Sequence, residues 1–124
     1  MEKTTKILLV DDDSDYLEVT QLMLMDEGYD VIPATNGEDG ITKFRESKPD
    51  IVFLDIKMPG IDGYETFFRI KKIDSDAKIV FASSYALENE KYKKAKEMDL
   101  CGIINKPADF DEYEKMIKKY AKNN

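Results

Sequence analysis

Carboxylates stand in two places where the local pattern makes them costly. Asp11, Asp12 and Asp13 directly follow the apolar run Ile7-Leu8-Leu9-Val10, and Asp55 directly follows Ile51-Val52-Phe53-Leu54. An ionised side chain at the edge of an apolar layer is expensive unless something compensates it. Two further apolar runs end in groups of complementary chemistry. Ile79-Val80-Phe81-Ala82 ends at the hydroxyl of Ser83, and Gly102-Ile103-Ile104-Asn105 ends at the ammonium of Lys106, followed by Pro107. If the runs are neighbouring strands, three carboxylates, a hydroxyl and a lysine meet at one spot. Two bare charges about 4 Å apart cost roughly 4 kcal/mol at an effective dielectric of 20, so a proton is shared or a cation is bound. An all-oxygen, carboxylate-rich site open to water suits Mg²⁺, with Mn²⁺ able to substitute. A carboxylate beside such a cation, a lysine and a hydroxyl is a phosphoryl acceptor in chemical terms. It can form an acyl phosphate while the metal and lysine neutralise the transferring group. Each feature alone has a plain reading: an Asp pair as a helix cap, Lys-Pro as a turn, Ser-Ser as a loop. Their placement at four separate strand ends is what carries weight.

The elements that must position these residues follow from periodicity. Short apolar runs of strand length occupy 6–10, 30–34, 51–54, 78–82 and 102–105, and the continuous pattern is that of strands buried on both faces. Pro33 places the second strand at a sheet edge. Helical spacing follows each strand. The first helix, capped by Asp13 or Ser14 and stopped by Gly28, turns Tyr16, Val19, Thr20, Met23 and Leu24 inward. The second, 37–47, buries Ile41 and Phe44, with Gly40 allowing close packing. The third, 63–73, buries Thr66, Phe67 and Ile70. A heavily charged fourth spans 87–98. The fifth, 110–122, turns Tyr113, Met116, Ile117 and Tyr120 inward. Alternating strands and helices predict an α/β fold, a five-stranded parallel sheet ordered 2-1-3-4-5 with helices on both faces, of flavodoxin-like type. Strands 1 and 3 are then neighbours at the switch point, where ligands of such folds bind.

Composition narrows the function classes. The 124 residues predict one domain, 1–124, and a net charge of -7 disfavours nucleic acid and anionic membranes as partners. The chain has one cysteine, Cys101, and no histidine. That removes internal disulfides, zinc clusters, His-based acid/base catalysis, His-metal sites and phosphohistidine chemistry on this chain. The amino-terminal apolar stretch is too short for a signal peptide or a span, so a reducing cytoplasm is the expected compartment.

Leu9-Val10-Asp11-Asp12-Asp13, the run Leu54-Asp55-Ile56-Lys57-Met58-Pro59-Gly60-Ile61-Asp62-Gly63, Ser83 after strand 4 and Lys106-Pro107 after strand 5 together resemble the receiver (CheY-like) domains of two-component response regulators, over essentially the whole chain. The resemblance implies Asp55 as phosphoacceptor and Asp12, Asp55 and the Lys57 carbonyl as Mg²⁺ ligands, with Asp11 acting mainly through water. It implies that Lys106 pairs with the phosphoryl group, that Ser83 swings toward it, and that the Lys106-Pro107 peptide is cis. The donor would be a sensor histidine kinase or histidine phosphotransfer protein. The chain would not be an enzyme beyond its own phosphorylation and slow dephosphorylation.

Several positions depart from the family pattern. The switch residue after the strand 5 glycine, usually aromatic, is Ile103, which offers no ring or hydroxyl, so a conventional Thr-Tyr relay is not expected. Ser84 replaces a common alanine, the segment from Ser83 to Lys106 is one residue longer than usual, and Asp99 stands where a helix-ending glycine is common. Lys57 and Tyr85 occupy the positions that flank the hydrolytic water, and their pairing resembles slowly dephosphorylating members. With only Asn123-Asn124 after the last helix, no output domain is expected, and output would run through a downstream protein target or onward phosphotransfer. Leu22 and Met25 on the first helix, Tyr64 and Phe68 on the third, and the basic strip of Lys91, Lys93, Lys94 and Lys96 are the candidate contact surfaces. Two other classes remain to be weighed. A haloacid-dehalogenase-type phosphatase would use Asp11 as nucleophile with Asp13, but leaves Lys57-Met58-Pro59-Gly60 unexplained. A flavin carrier shares the sheet order, but would place flavin phosphate against an acidic loop.

Overall fold

A computed structural model describes residues 4–84 and 89–122. Five parallel strands, β1 (Lys6–Val10), β2 (Asp30–Ala34), β3 (Ile51–Leu54), β4 (Ile79–Ser83) and β5 (Gly102–Asn105), form one sheet ordered β2-β1-β3-β4-β5. Five helices alternate with them: α1 (Ser14–Asp26), α2 (Gly37–Ser47), α3 (Gly63–Ile73), α4 (Asn89–Glu97) and α5 (Phe110–Tyr120). Both the fold class and the strand order match the sequence expectation. β2 lies at the edge, as Pro33 requires.

Strand side chains alternate between two cores. Leu8, Val10, Val52, Leu54, Ile79 and Phe81 face α2, α3 and α4. Ile7, Leu9, Ile51, Phe53, Val80 and Ile104 face α1 and α5. Gly40 lets α2 approach β1 closely, since a Cβ there would come within 2.9 Å of Val10. Asp99 adopts a left-handed φ of 63° after α4, and the Lys106-Pro107 peptide is cis.

Two orientations differ from expectation. On α1 the buried residues are Leu17, Thr20 and Leu24, whereas Val19 is 66% exposed. Apolar residues lie on both sides of this helix, so periodicity alone could not choose the inward stripe. Val19, Leu22 and Met25 form the outward one. On α3, Tyr64 is not an outer residue. It is only 1% exposed and packs edge-on against Phe81 with centroids 5.3 Å apart. The fourth helix covers this side of α3, placing the Lys91 ammonium 5.9 Å from the Tyr64 ring and the Lys94 ammonium 4.8 Å from that of Phe68. The basic strip is therefore partly laid over aromatic faces.

Candidate functional site

Sheet hydrogen bonding runs one residue past the strands and seats the acidic groups side by side. The Asp11 N–H donates to the Ala34 carbonyl at 3.0 Å, and the Asp55 N–H to that of Val10 at 2.9 Å. Each of Asp11, Asp12 and Asp55 offers a carboxylate oxygen within 4.8 Å of the other two. Asp11 and Asp55 are each 5% exposed, while Asp12 is open to solvent. Lys106 enters from the end of β5. Its Nζ lies 2.5 Å from Asp11 Oδ2 and 3.5 Å from Asp55 Oδ2. Ser83 ends β4 beside it, buried, and its carbonyl accepts the Lys106 N–H at 3.0 Å.

The electrostatics reflect a crowded cluster of acids. Burial, reinforced by the nearby charge of Asp11, pushes the Asp55 carboxyl up to about 6, against the opposing pull of Lys106 and the Ile56 N–H that donates to Oδ1 at 2.8 Å. Burial disfavours the charged Lys106 amine, but its hydrogen bond and charge contact with Asp11, joined by Asp55, hold it above its ordinary value. One ammonium thus serves two buried carboxylates, and negative charge remains in excess.

A cation would relieve that excess. The donor set is all carboxylate oxygen, two members fixed at strand ends and the third exposed. These are features a hard ion such as Mg²⁺ accepts while keeping waters. Asp12 also lines an open cleft of about 490 Å³ with Ile56, Lys57, Met58, Pro59 and Asp62. Lys57, the expected carbonyl ligand, therefore borders the same opening. Asp13 stands apart as the cap of α1, its Oδ1 accepting the Tyr16 N–H at 3.1 Å. Gly63 permits the tight return from Asp55 to α3. A Cβ there would fall 2.3 Å from the Asp55 carbonyl oxygen.

The response regulator receiver domain model matches residues 7–118. The chain belongs to the response regulator receiver family. The receiver is 34% identical over 115 residues to sporulation initiation phosphotransferase F of Bacillus subtilis, an alignment covering 93% of this chain and 92% of that one. A solved response regulator, TrrA from Thermotoga maritima in complex with Mg²⁺-BeF, is 34% identical with a TM-score of 0.83, covering 94% and 99% of the two chains. A receiver domain protein from Methanospirillum hungatei superposes with a TM-score of 0.87 at 27% identity, covering 94% and 93%. Transcriptional regulators also match, but the aligned stretch covers only 30–54% of their length.

Of the sequence-selected residues, the receiver brings together Asp11, Asp12, Asp55, Lys106 and the Ser83 backbone. Ile103 sits on β5 opposite Phe81 and is 38% exposed, away from the carboxylates. Tyr85, the longer segment around it and the first residues of the expected fourth helix fall outside the described residues. Sequence reading missed one neighbour of the cluster. The Tyr16 ring lies beneath the Lys106 ammonium, 4.7 Å from centroid to Nζ. Tyr16 and Lys106 are too far apart in the chain for any spacing pattern to have linked them.

Proposed function

We propose that this receiver takes a phosphoryl group onto Asp55 from a phosphohistidine on a sensor kinase or phosphotransfer protein. The observation that carries the reading is the convergence of Asp11, Asp12, Asp55 and Lys106 beside an open cleft. A carboxylate oxygen of Asp55 attacks the donor phosphorus as its P–N bond breaks, and a P–O bond to Asp55 forms. The imidazole leaves with the electron pair. Asp11, Asp12, Asp55 and the Lys57 carbonyl would hold Mg²⁺, with Mn²⁺ as a substitute; the ion supplies charge neutralisation for the phosphoryl oxygens. Lys106, now shared between two carboxylates, would shift toward the new phosphoryl group, and the Ser83 hydroxyl would approach it. With no histidine in the chain, the donor belongs to another molecule.

The alignment that spans nearly the whole Bacillus phosphotransferase supports the phosphorelay form of this reading. The exposed stripe of Val19, Leu22 and Met25 on α1 is the proposed docking face for a helical donor. Output runs through a downstream protein or onward phosphotransfer. The protein then acts on no substrate beyond its own phosphorylation and slow dephosphorylation, and works in the cytoplasm without nucleic acid or membrane contact. Among the described residues no helix is long and apolar enough to cross a membrane. The phosphatase alternative is disfavoured because Asp13, its second acid, caps α1 with its side chain instead of joining the carboxylate cluster.

Incubation with Mg²⁺ and acetyl phosphate tests the reading. The expected product is an acid-stable, base-labile adduct, lost in Asp55→Asn and retained in Asp13→Asn. An adduct that survives Asp55→Asn would overturn it.

A further inference from the structure

Lys106 has a third neighbour besides its two carboxylates, and that neighbour is built into the scaffold. The Tyr16 ring lies 4.7 Å from the Lys106 Nζ, in the range of a cation–π contact. The Tyr16 hydroxyl accepts the N–H of Ala108, two residues beyond Lys106, at 3.3 Å. It is also 2.7 Å from the Tyr113 hydroxyl on α5. Tyr113 is 1% exposed, is held edge-on by Phe53 with centroids 4.9 Å apart, and hydrogen-bonds Thr20 of α1. The space left among Tyr16, Thr20, Tyr113 and Asp11 is about 10 Å³, no more than a single water could fill. One side chain therefore touches the lysine through its ring and fixes the backbone that carries the lysine through its hydroxyl. The two functions are separable, because the ring and the hydroxyl contact different groups.

We propose that Tyr16 is a positioning residue for Lys106: its ring is the surface on which the ammonium rests and travels between Asp11 and the Asp55 side of the cluster. An ammonium leaving a carboxylate at 2.5 Å for a group near Asp55 would otherwise cross a partly desolvated gap, and the π-face lowers that cost. The hydroxyl, tied to Ala108 and Tyr113, keeps the ring in place as the lysine moves.

This proposal rests on phosphoryl acceptance at Asp55, and the test separates the two. In the free protein, with Nζ 4.7 Å from the ring centroid, the adjoining Lys106 ε-methylene protons should feel the ring current and resonate upfield of an ordinary lysine in NMR spectra. The shift should vanish in Tyr16→Leu and persist in Tyr16→Phe. Ordinary lysine shifts in the unaltered protein would overturn the positioning role, whatever the phosphorylation assay gives. In the acetyl phosphate assay, Tyr16→Leu should slow labelling about three- to tenfold, the worth of one partly buried cation–π contact. Tyr16→Phe should recover most of that loss. In a Lys106→Met background, Tyr16→Leu should add nothing further. An equal loss in both backgrounds would show a general structural effect and overturn the proposal, as would full activity of Tyr16→Leu in the Lys106 protein. Absence of labelling in the unaltered protein, with the upfield shift present, would instead overturn the phosphoacceptor reading and leave the lysine–tyrosine contact standing.

Discussion

Asp55 should lower the stability of the free protein at neutral pH, and replacing it with Asn should raise it. Burial and Asp11 raise the Asp55 carboxyl from the 3.8 of an ordinary aspartate to about 6. Over that window the folded chain retains a proton that the unfolded chain releases, so stability falls as pH rises from near 4 to above 6. A shift of this size corresponds to about 3 kcal/mol once both states are ionised. The amide keeps an oxygen for the Ile56 N–H but surrenders the contact of Oδ2 with Lys106 at 3.5 Å. Both contacts are already counted in that shift, so the gain at pH 7.5 should be about 2–3 kcal/mol, or roughly 10 °C in Tm for a domain of this length. Urea titrations of both proteins, followed by circular dichroism, measure it directly. By linkage, roughly half of the gain should remain at pH 5 and little near pH 4. Millimolar Mg²⁺ should narrow the gap at pH 7.5 by stabilising the Asp55 protein through mass action. An Asp55→Asn protein less stable at pH 7.5, or a gain undiminished at pH 5, would refute the account of charge crowding.

Gly63→Ala should destabilise by about 2–3 kcal/mol in the same titration, because the new Cβ meets backbone at 2.3 and 2.6 Å that cannot swing aside. Its Mg²⁺ affinity should fall as well, since the displaced atoms belong to Asp55 and Ile56. Leu22→Glu should slow transfer from a phosphorylated four-helix donor while leaving acetyl phosphate labelling and Tm unchanged, the side chain being 60% exposed. Unaltered transfer from the donor would remove α1 as the docking face. If Lys57 and Tyr85 shield the acyl phosphate from water, labelled protein freed of donor should keep its phosphoryl group for minutes or longer, and loss within seconds would contradict the shielding.

The sheet was legible because its three central strands are buried on both faces and appear as uninterrupted apolar runs, and because four of the five strands lead into a residue out of keeping with the run. Asp11, Asp55, Ser83 and Lys106 were found as interruptions of a pattern, and a parallel sheet necessarily collects such strand ends on one edge. Orientation within helices was less legible wherever a helix is apolar on two sides. Val19 satisfied the spacing of an inward stripe as well as Leu17 did, and only the packing of α1 against β2 and β1 decides between them. Tyr64 failed for the opposite reason, since its partner Phe81 and the covering Lys91 come from elements that helix periodicity does not include.

The same limit explains why the acceptor chemistry was easier to read than the lysine's support or the output path. Asp55 announces itself against Leu54, but Tyr16 and Tyr113 are each credible core residues on amphipathic helices. Their joint meaning exists only where the two hydroxyls meet at 2.7 Å beside Lys106. Ile103, expected from the resemblance at a usually aromatic switch position, is 38% exposed on the last strand, away from the carboxylates. With no hydroxyl or ring there, Ile103 offers only aliphatic bulk beside Phe81 of β4. Lys106, by contrast, contacts Asp11, Asp55 and Tyr16, a residue of α1 hydrogen-bonded to Tyr113 of α5, so one side chain links it to both helices. Aliphatic packing at Ile103 and the Tyr16–Tyr113 pair are thus two distinct routes by which the acceptor's state could reach the surface. Only the second carries a hydrogen bond and a charge that respond directly to where the lysine sits.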